Sequence, residues 1–213
     1  MTLVVNEIFS SLQGESSRAG LPCSFVRLTG CNLRCRWCDS RYAYEEGRER
    51  AVSDIVDEIR RFPPRLVEIT GGEPLLQQET PDLCRTLLDL GMLVMLETNG
   101  SLPIDRVPAG VIRIIDIKCP ESGEAEAMDF TNLDRLDGED EVKFVVACKT
   151  DFDYARAICL RYDLLDRCEV LIAPVYGQLE PARLAQWIID TGLPLRLQLP
   201  LHKILWGPDR KGV

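Results

Sequence analysis

The chain has 213 residues, 46% of them hydrophobic, and sets 25 lysines and arginines against 34 aspartates and glutamates, a net charge of −9. This is enough apolar content to bury a full core, and it predicts one domain over 1–213 rather than a disordered chain. The acidic balance argues against a surface that grips nucleic-acid phosphates, and no apolar run is long enough to cross a bilayer.

Taken in chain order, short apolar runs alternate with amphipathic ones. Strands are predicted at 3–8 (LVVNEI), 23–29 (CSFVRLT), 66–70 (LVEIT), 93–97 (LVMLE), 111–117 (VIRIIDI), 141–147 (EVKFVVA), 169–173 (EVLIA) and 194–199 (PLRLQL). Helices are predicted in SDIVDEIRRF, capped near Ser53 and stopped by Pro63-Pro64, and in TPDLCRTLLDL between Thr80-Pro81 and Gly91. DYARAICLRY and PARLAQWIID follow as helices, while the mixed-sign stretch EEGRER at 45–50 reads as a solvated loop. Strand, helix, strand in series is the pattern of an α/β fold with mostly parallel strands. The number of strands suits a partial (β/α) barrel better than a complete eight-fold one, which needs a longer chain.

Polar residues gather at the C-terminal ends of these strands. Alternation places Arg27 with Thr29, Leu66 with Glu68 and Thr70, Glu97 with Asn99, and Asp116 with Lys118 on common faces. Solvent exposure explains one such end; several together predict an active site over the C-terminal rim.

Cys31, Cys35 and Cys38 fall inside the run GCNLRCRWCDS. Four thiolates close a structural zinc or a saturated iron–sulfur cluster, whereas three leave a metal centre one ligand short and open to chemistry. A zinc knuckle would bring a second cysteine or histidine pair at short spacing. Here His202 is the one histidine, and a zinc site would have to recruit one of the scattered Cys23, Cys84, Cys119, Cys148, Cys159 and Cys168. The cysteines total nine, an odd number, and MTLVVNEIFSS has no basic segment ahead of a long apolar one. A secreted disulfide framework is therefore not expected, and the setting is a reducing cytoplasm.

Strand 66–70 runs into Gly71-Gly72-Glu73-Pro74, whose glycine pair lets backbone approach a ligand closely. Alone it would be an ordinary turn. Downstream of a cysteine x3 cysteine x2 cysteine motif it resembles the signature of the radical SAM superfamily. There three thiolates hold a 4Fe–4S cluster, S-adenosylmethionine chelates the free iron, and the GGEP segment contacts the methionine ammonium. Within that superfamily the stretches NEIFSSLQGESSRAGLPCSFVRLTGCNLRCRWCDS, TGGEPLLQ, ETNG, DIKCP, APVYG and QLPLHKILWGP resemble the 7-carboxy-7-deazaguanine synthases.

The resemblance covers most of the chain. It implies a ring-contracting lyase that turns 6-carboxy-5,6,7,8-tetrahydropterin into 7-carboxy-7-deazaguanine with loss of ammonia, on a queuosine-type route. It also implies a 4Fe–4S cluster, S-adenosylmethionine and Mg2+ as cofactors. The implied partners are a reductant such as flavodoxin or ferredoxin and a second copy in a homodimer, with no nucleic acid or membrane.

The same resemblance implies site residues. Leu12, Gln13, Gly14, Glu15, Thr70 and Pro208 lie against the pterin, and Arg27 holds its carboxylate, a task suited to a planar, permanently charged fork. Ser40 gives a hydroxyl to magnesium, a weak site alone that needs substrate oxygens and water to complete it. Trp37, Cys38, Asp39, Gly72, Glu73, Lys118, Cys119, Ala173, Pro174, Val175 and Tyr176 flank S-adenosylmethionine. Glu97 is the candidate for binding the guanidine-like edge or moving a proton, and His202 and Lys203, near the substrate, are further catalytic candidates, although a lone histidine is more often structural. The loop 30–40 carries the cluster and 198–213 caps the substrate. The chain departs from some relatives in having DIKCP where they have serine-proline-lysine, and in DRKGV, which continues past Pro208 where they end.

Two other readings remain open. An activase that raises a glycyl radical on a partner protein would need a peptide groove, and a non-catalytic iron–sulfur or zinc module would have no use for GGEP.

Overall fold

The computed structural model describes every residue except Asp209. β1 (Thr2–Leu12) and β2 (Pro22–Leu28) form an antiparallel hairpin, with Leu12 opposite Pro22 and a bulge between Val5 and Glu7. β3 (Arg48–Ala51) pairs antiparallel with the other side of β1. From β2 onward every pairing is parallel, through β4 (Leu66–Gly71), β5 (Leu93–Thr98), β6 (Ile112–Ile117), β7 (Glu141–Val146), β8 (Glu169–Pro174) and β9 (Arg196–Leu197). The order β3-β1-β2-β4-β5-β6-β7-β8-β9 makes an open, mostly parallel α/β sheet with β3 and β9 at its edges.

Two strands differ from the sequence reading for physical reasons. β1 and β2 are antiparallel because the connection 13–21 contains no helix to carry the chain back for a parallel crossover. β3 occupies part of the stretch read as a solvated loop: it is a short, charged edge strand paired on one side only, and alternation cannot reveal such a strand.

Helices α1 (Val52–Ile59), α2 (Thr80–Asp89), α3 (Lys149–Arg161) and α4 (Pro181–Thr191) lie where the periodicity placed them. The cap of α1 is Ala51, in extended conformation, because β3 runs straight into the helix and leaves Ser53 inside it. A fifth helix, α5 (Leu201–Trp206), follows Pro200 and buries none of its residues.

The two faces of the sheet have different work. On one, Val26, Leu28, Val67, Ile69, Leu96, Ile115 and Phe144 meet Ile55, Ile59, Leu83, Leu87, Phe152 and Leu184 from α1 to α4. Each such aliphatic side chain, when fully buried, contributes about 1.5–3 kcal/mol. On the other face a smaller cluster of Cys23, Phe25, Leu66, Met95, Ile112 and Ile114 forms an apolar floor, with Phe9 stacked on Phe25 at 4.9 Å. Further along the strands on that face stand Arg27, Glu68, Thr70, Glu97, Asp116 and Lys143. Register sets Phe25 beside Glu68, Arg27 beside Thr70, and Asp116 beside Lys143.

The connection 13–21 bridges this second face. The Ser17 N–H donates to the Glu141 carboxylate at 3.0 Å, and Arg18 pairs with the same group at 3.2 Å. The Leu201 N–H, at the start of α5, donates to the Gly14 carbonyl at 2.9 Å.

Candidate active site

A cavity of about 640 Å³ runs along the bridged face. One end is formed by the loop 30–40. Its backbone is fastened to its surroundings by Gly30 N–H to the Ala43 carbonyl (2.9 Å), Arg36 N–H to the Ser122 carbonyl (3.0 Å) and Arg34 N–H to the Glu124 carboxylate (2.7 Å). The Arg34 guanidinium folds back to donate to the carbonyls of Cys31 and Leu33. This fastening presents Cys31, Cys35 and Cys38 to the cavity as free thiols.

Burial raises the Cys31 thiol, and it pushes Cys35 up to about 11 against the pull of Lys118. Among the described residues no three His, Cys, Asp or Glu side chains stand close enough to hold a single metal ion. Three soft thiols spread along a cavity wall suit an iron–sulfur cluster better than a lone zinc. The GGEP turn packs directly against this loop: a β-carbon on Gly72 would sit 2.1 Å from the Gly30 carbonyl and 2.7 Å from Cys31 Cβ. Only glycine allows the two loops to pack this closely.

The other end of the cavity is built round Lys143. Its buried ammonium reaches Glu15 at 2.8 Å, Glu97, and Asp116 at 3.6 Å, while Lys118 pairs with Asp116 at 2.8 Å. Burial alone would discharge Lys143, but Glu15, Glu97 and Asp116 hold its pKa well above the usual lysine value. Burial raises Glu15 and the Lys143 charge more than offsets it; for Glu97 burial wins, aided by Glu15 and Asp116. Asp116 Oδ1 is buried without a partner among the described residues. Beside this group Glu68 is pushed up to about 8 by burial and by Glu97.

Arg27 donates from Nε to Glu7 at 2.8 Å, and the Tyr42 hydroxyl donates to the same carboxylate oxygen at 2.9 Å. The neighbours of Arg27 in the chain, Phe25, Val26 and Leu28, are apolar, and the bulge after Val5 brings Glu7 to it across the hairpin. Asp39 accepts from Ser40 Oγ at 3.0 Å and pairs with Lys203 at 2.5 Å. Burial raises Asp39, but Lys203 and Ser40 together hold it well below the usual carboxylate range. His202 packs against Gly14, where a β-carbon would lie 2.3 Å from Nδ1.

The cavity thus gathers Leu12, Gln13, Gly14, Glu15, Arg27, the three thiols, Trp37, Asp39, Ser40, Thr70, Gly72, Glu97, Lys118, the run Ala173 to Tyr176, His202, Lys203 and Pro208. Two expected residues lie off it. Glu73 is fully buried, its carboxylate accepting from Leu75 N–H (2.9 Å), Thr98 Oγ1 (2.9 Å) and Asn99 N–H (2.7 Å), so it ties the GGEP turn to the end of β5. Cys119 is turned into the helix-side core. The sequence reading singled out neither Lys143 nor Tyr42, nor any role for Glu68, although a lone lysine in the apolar run EVKFVVA was a legible signal. Arg210 to Val213 also line the cavity, with the Lys211 ammonium 3.9 Å from the centre of the Tyr42 ring.

A model of the radical SAM superfamily matches residues 25–114, which hold the thiols and the glycine pair. Over 99% of its length the chain is 46% identical to the 7-carboxy-7-deazaguanine synthase of Chlorobaculum tepidum, covering 97% of that protein. This chain belongs to the 7-carboxy-7-deazaguanine synthase family. Its likeness to the synthase of Koribacter versatilis is 42% over 98% of this chain and 99% of that one. Among solved structures, QueE from Escherichia coli superposes with a TM-score of 0.78 over 95% of each chain at 23% identity, a likeness of fold. As a radical SAM enzyme of this synthase family, the chain works with a 4Fe–4S cluster and S-adenosylmethionine. No helix among the described residues is long and apolar enough to cross a membrane.

Proposed function

We propose that the chain is the radical SAM lyase that converts 6-carboxy-5,6,7,8-tetrahydropterin to 7-carboxy-7-deazaguanine with release of ammonia, on the route to queuosine-type 7-deazapurines. The observation that carries this reading is the continuity of one cavity, from three free thiols to an arginine and a buried lysine–carboxylate group. Cys31, Cys35 and Cys38 would hold the cluster, and Gly72, Lys118 and the run Ala173 to Tyr176 would hold S-adenosylmethionine. When bound, these groups supply the radical that takes a hydrogen atom from the substrate.

The rest is work for the chain's own side chains. With Nε spent on Glu7, the guanidinium of Arg27 still offers its two terminal nitrogens to the substrate carboxylate as a fork. Lys143 keeps Glu15 and Glu97 in place, and Glu97, raised by burial, can accept from the guanidine-like edge or carry a proton. Ser40 offers a hard oxygen for Mg2+, with substrate oxygens and water completing the shell. The bridge 13–21 and α5 cover the face and keep water from the reacting ring. Flavodoxin or ferredoxin would serve as reductant, in the cytoplasm, to a homodimer.

The test is turnover after anaerobic reconstitution, with the carboxypterin, S-adenosylmethionine, Mg2+ and a reductant. The expected result is 7-carboxy-7-deazaguanine and ammonia in equal amounts, read by mass spectrometry, with S-adenosylmethionine not consumed in step. Cleavage of S-adenosylmethionine with the pterin recovered unchanged would overturn the assignment.

A further inference from the structure

We infer that Glu68 sets substrate specificity by donating a hydrogen bond from Oε1 to the 4-oxo group of the bound pterin. This rests on the function proposed above and assigns a recognition role to a residue that the cofactor chemistry leaves unused.

Gln13 decides which carboxyl oxygen can carry a proton. Its amide oxygen accepts from the Glu15 N–H at 3.1 Å, which fixes the amide so that its nitrogen donates to Glu68 Oε2. Oε2 is therefore an acceptor, and any proton on Glu68 sits on Oε1, which has no partner among the described residues in a side chain that lines the cavity. The charge count favours that proton. Four carboxyl groups, Glu15, Glu68, Glu97 and Asp116, meet two ammonium groups, and both ammonium groups are spent on the other three.

The titratable groups around Glu68 agree. Glu97 on β5 and Glu15 on the bridge oppose a further negative charge, Lys143 on β7 favours it only in part, and the Cys23 thiol on β2 is itself held neutral by burial. The balance leaves Glu68 half-titrated near pH 8 and protonated below it.

Position supplies the ligand atom. Arg27 and Glu68 lie on adjacent strands of one face, and register puts Glu68 beside Phe25, two residues deeper than Arg27. At ~3.3 Å of rise per residue this is roughly 7 Å of depth, comparable with the pterin edge that runs from the 6-carboxylate past N5 to the 4-oxo oxygen. A carboxylate clamped by Arg27 thus brings the 4-oxo group down towards Glu68, where a neutral acid is a donor and a carboxylate would repel.

The experiment measures affinity of the reconstituted chain, with S-adenosylmethionine and Mg2+, for 6-carboxypterin and for its 4-amino analogue by anaerobic equilibrium dialysis. At pH 7 the wild type should favour the 4-oxo compound by about ten- to a hundredfold, the range set by leaving one buried polar group unpaired. Glu68→Gln should keep that preference, because Gln13 forces its amide nitrogen towards the cavity, whereas Glu68→Leu should lose it. From pH 7 to 9 wild-type affinity should fall relative to Glu68→Gln, a ratio that cancels titration of the ligand itself. A ratio that rises with pH, which marks an accepting carboxylate, or an undiminished preference in Glu68→Leu, would overturn the inference. The pH ratio needs only the isosteric variant, so it stands even if the leucine variant misfolds. Wild-type protein that bound neither pterin would overturn the function itself, and the role of Glu68 with it.

Discussion

Replacing Lys143 with methionine removes one charge and little volume from the centre of a buried ionic group. The ammonium is the shared partner of Glu15 and Glu97 and is 3.6 Å from Asp116, and its side chain is 7% exposed. Taking away one member of a buried pair costs about 3–5 kcal/mol, since the acids left behind have no counter-charge. One side of the group faces the cavity, so the low end, about 3 kcal/mol, applies. A protein of this size loses about 2–4 °C of Tm per kcal/mol, which predicts a fall of about 6–12 °C at pH 8.

The pH dependence follows from the same acids. In the wild type Glu15 is held below its ordinary value by Lys143, so its contribution is present at neutral pH and disappears as pH falls through its folded value. In Lys143→Met burial dominates and raises both Glu15 and Glu97. The folded variant then binds more protons than its unfolded chain and gains stability as pH falls from 8 to 6. Thermal melts followed by circular dichroism on the apo chain should show the gap between the two proteins narrowing over that range. A gap under about 2 °C at pH 8, or one that widens on acidification, would refute the reasoning.

Cys35→Ala should abolish iron and sulfide incorporation on reconstitution, whereas Cys84→Ala, on the buried face of α2 in the helix-side core, should assemble a full cluster; equal iron content in the two would remove the thiol assignment. Arg27→Lys keeps the charge but loses the fork, and a loss of about 2 kcal/mol predicts a rise in substrate KM of about thirtyfold with iron content unchanged. Comparable KM values for the carboxylated and decarboxylated pterins in the wild type would show that Arg27 serves Glu7 alone. Ser40→Ala should raise the Mg2+ concentration needed for half-maximal turnover and leave reductive cleavage of S-adenosylmethionine intact; an unchanged titration would locate the metal elsewhere. Gly14→Ala places a methyl group against His202 Nδ1 and should displace α5, read as faster proteolysis after Lys203 with little change in the far-ultraviolet spectrum.

The parallel strands and four of the helices were legible because alternation and 3.6-residue periodicity record burial on one face, and these elements have one. β3 was not, since Arg48, Glu49 and Arg50 carry charge and it is held by backbone pairing to β1 alone. α5 escaped because it buries nothing, so LHKILW has no core-facing stripe to read. The thiols and GGEP announced themselves as local motifs. Lys143 did not, because its meaning lies in Glu15 and Glu97, 128 and 46 residues away in the chain. Glu73 shows the converse: a motif residue whose carboxylate is occupied in holding β5, which local sequence does not reveal.

The bridge over the cavity also orders events at the ribosome. Ser17 must wait for Glu141, 124 residues downstream, and Gly14 for Leu201 beyond it. At about 5–20 residues per second Glu141 is added some 6–25 s after Ser17. Closing so long a loop is slow and is rewarded only when its far end arrives. The N-terminal hairpin and the thiol loop therefore emerge while the future cavity is still uncovered, and the bridge can be fastened only once the last third of the chain is being made.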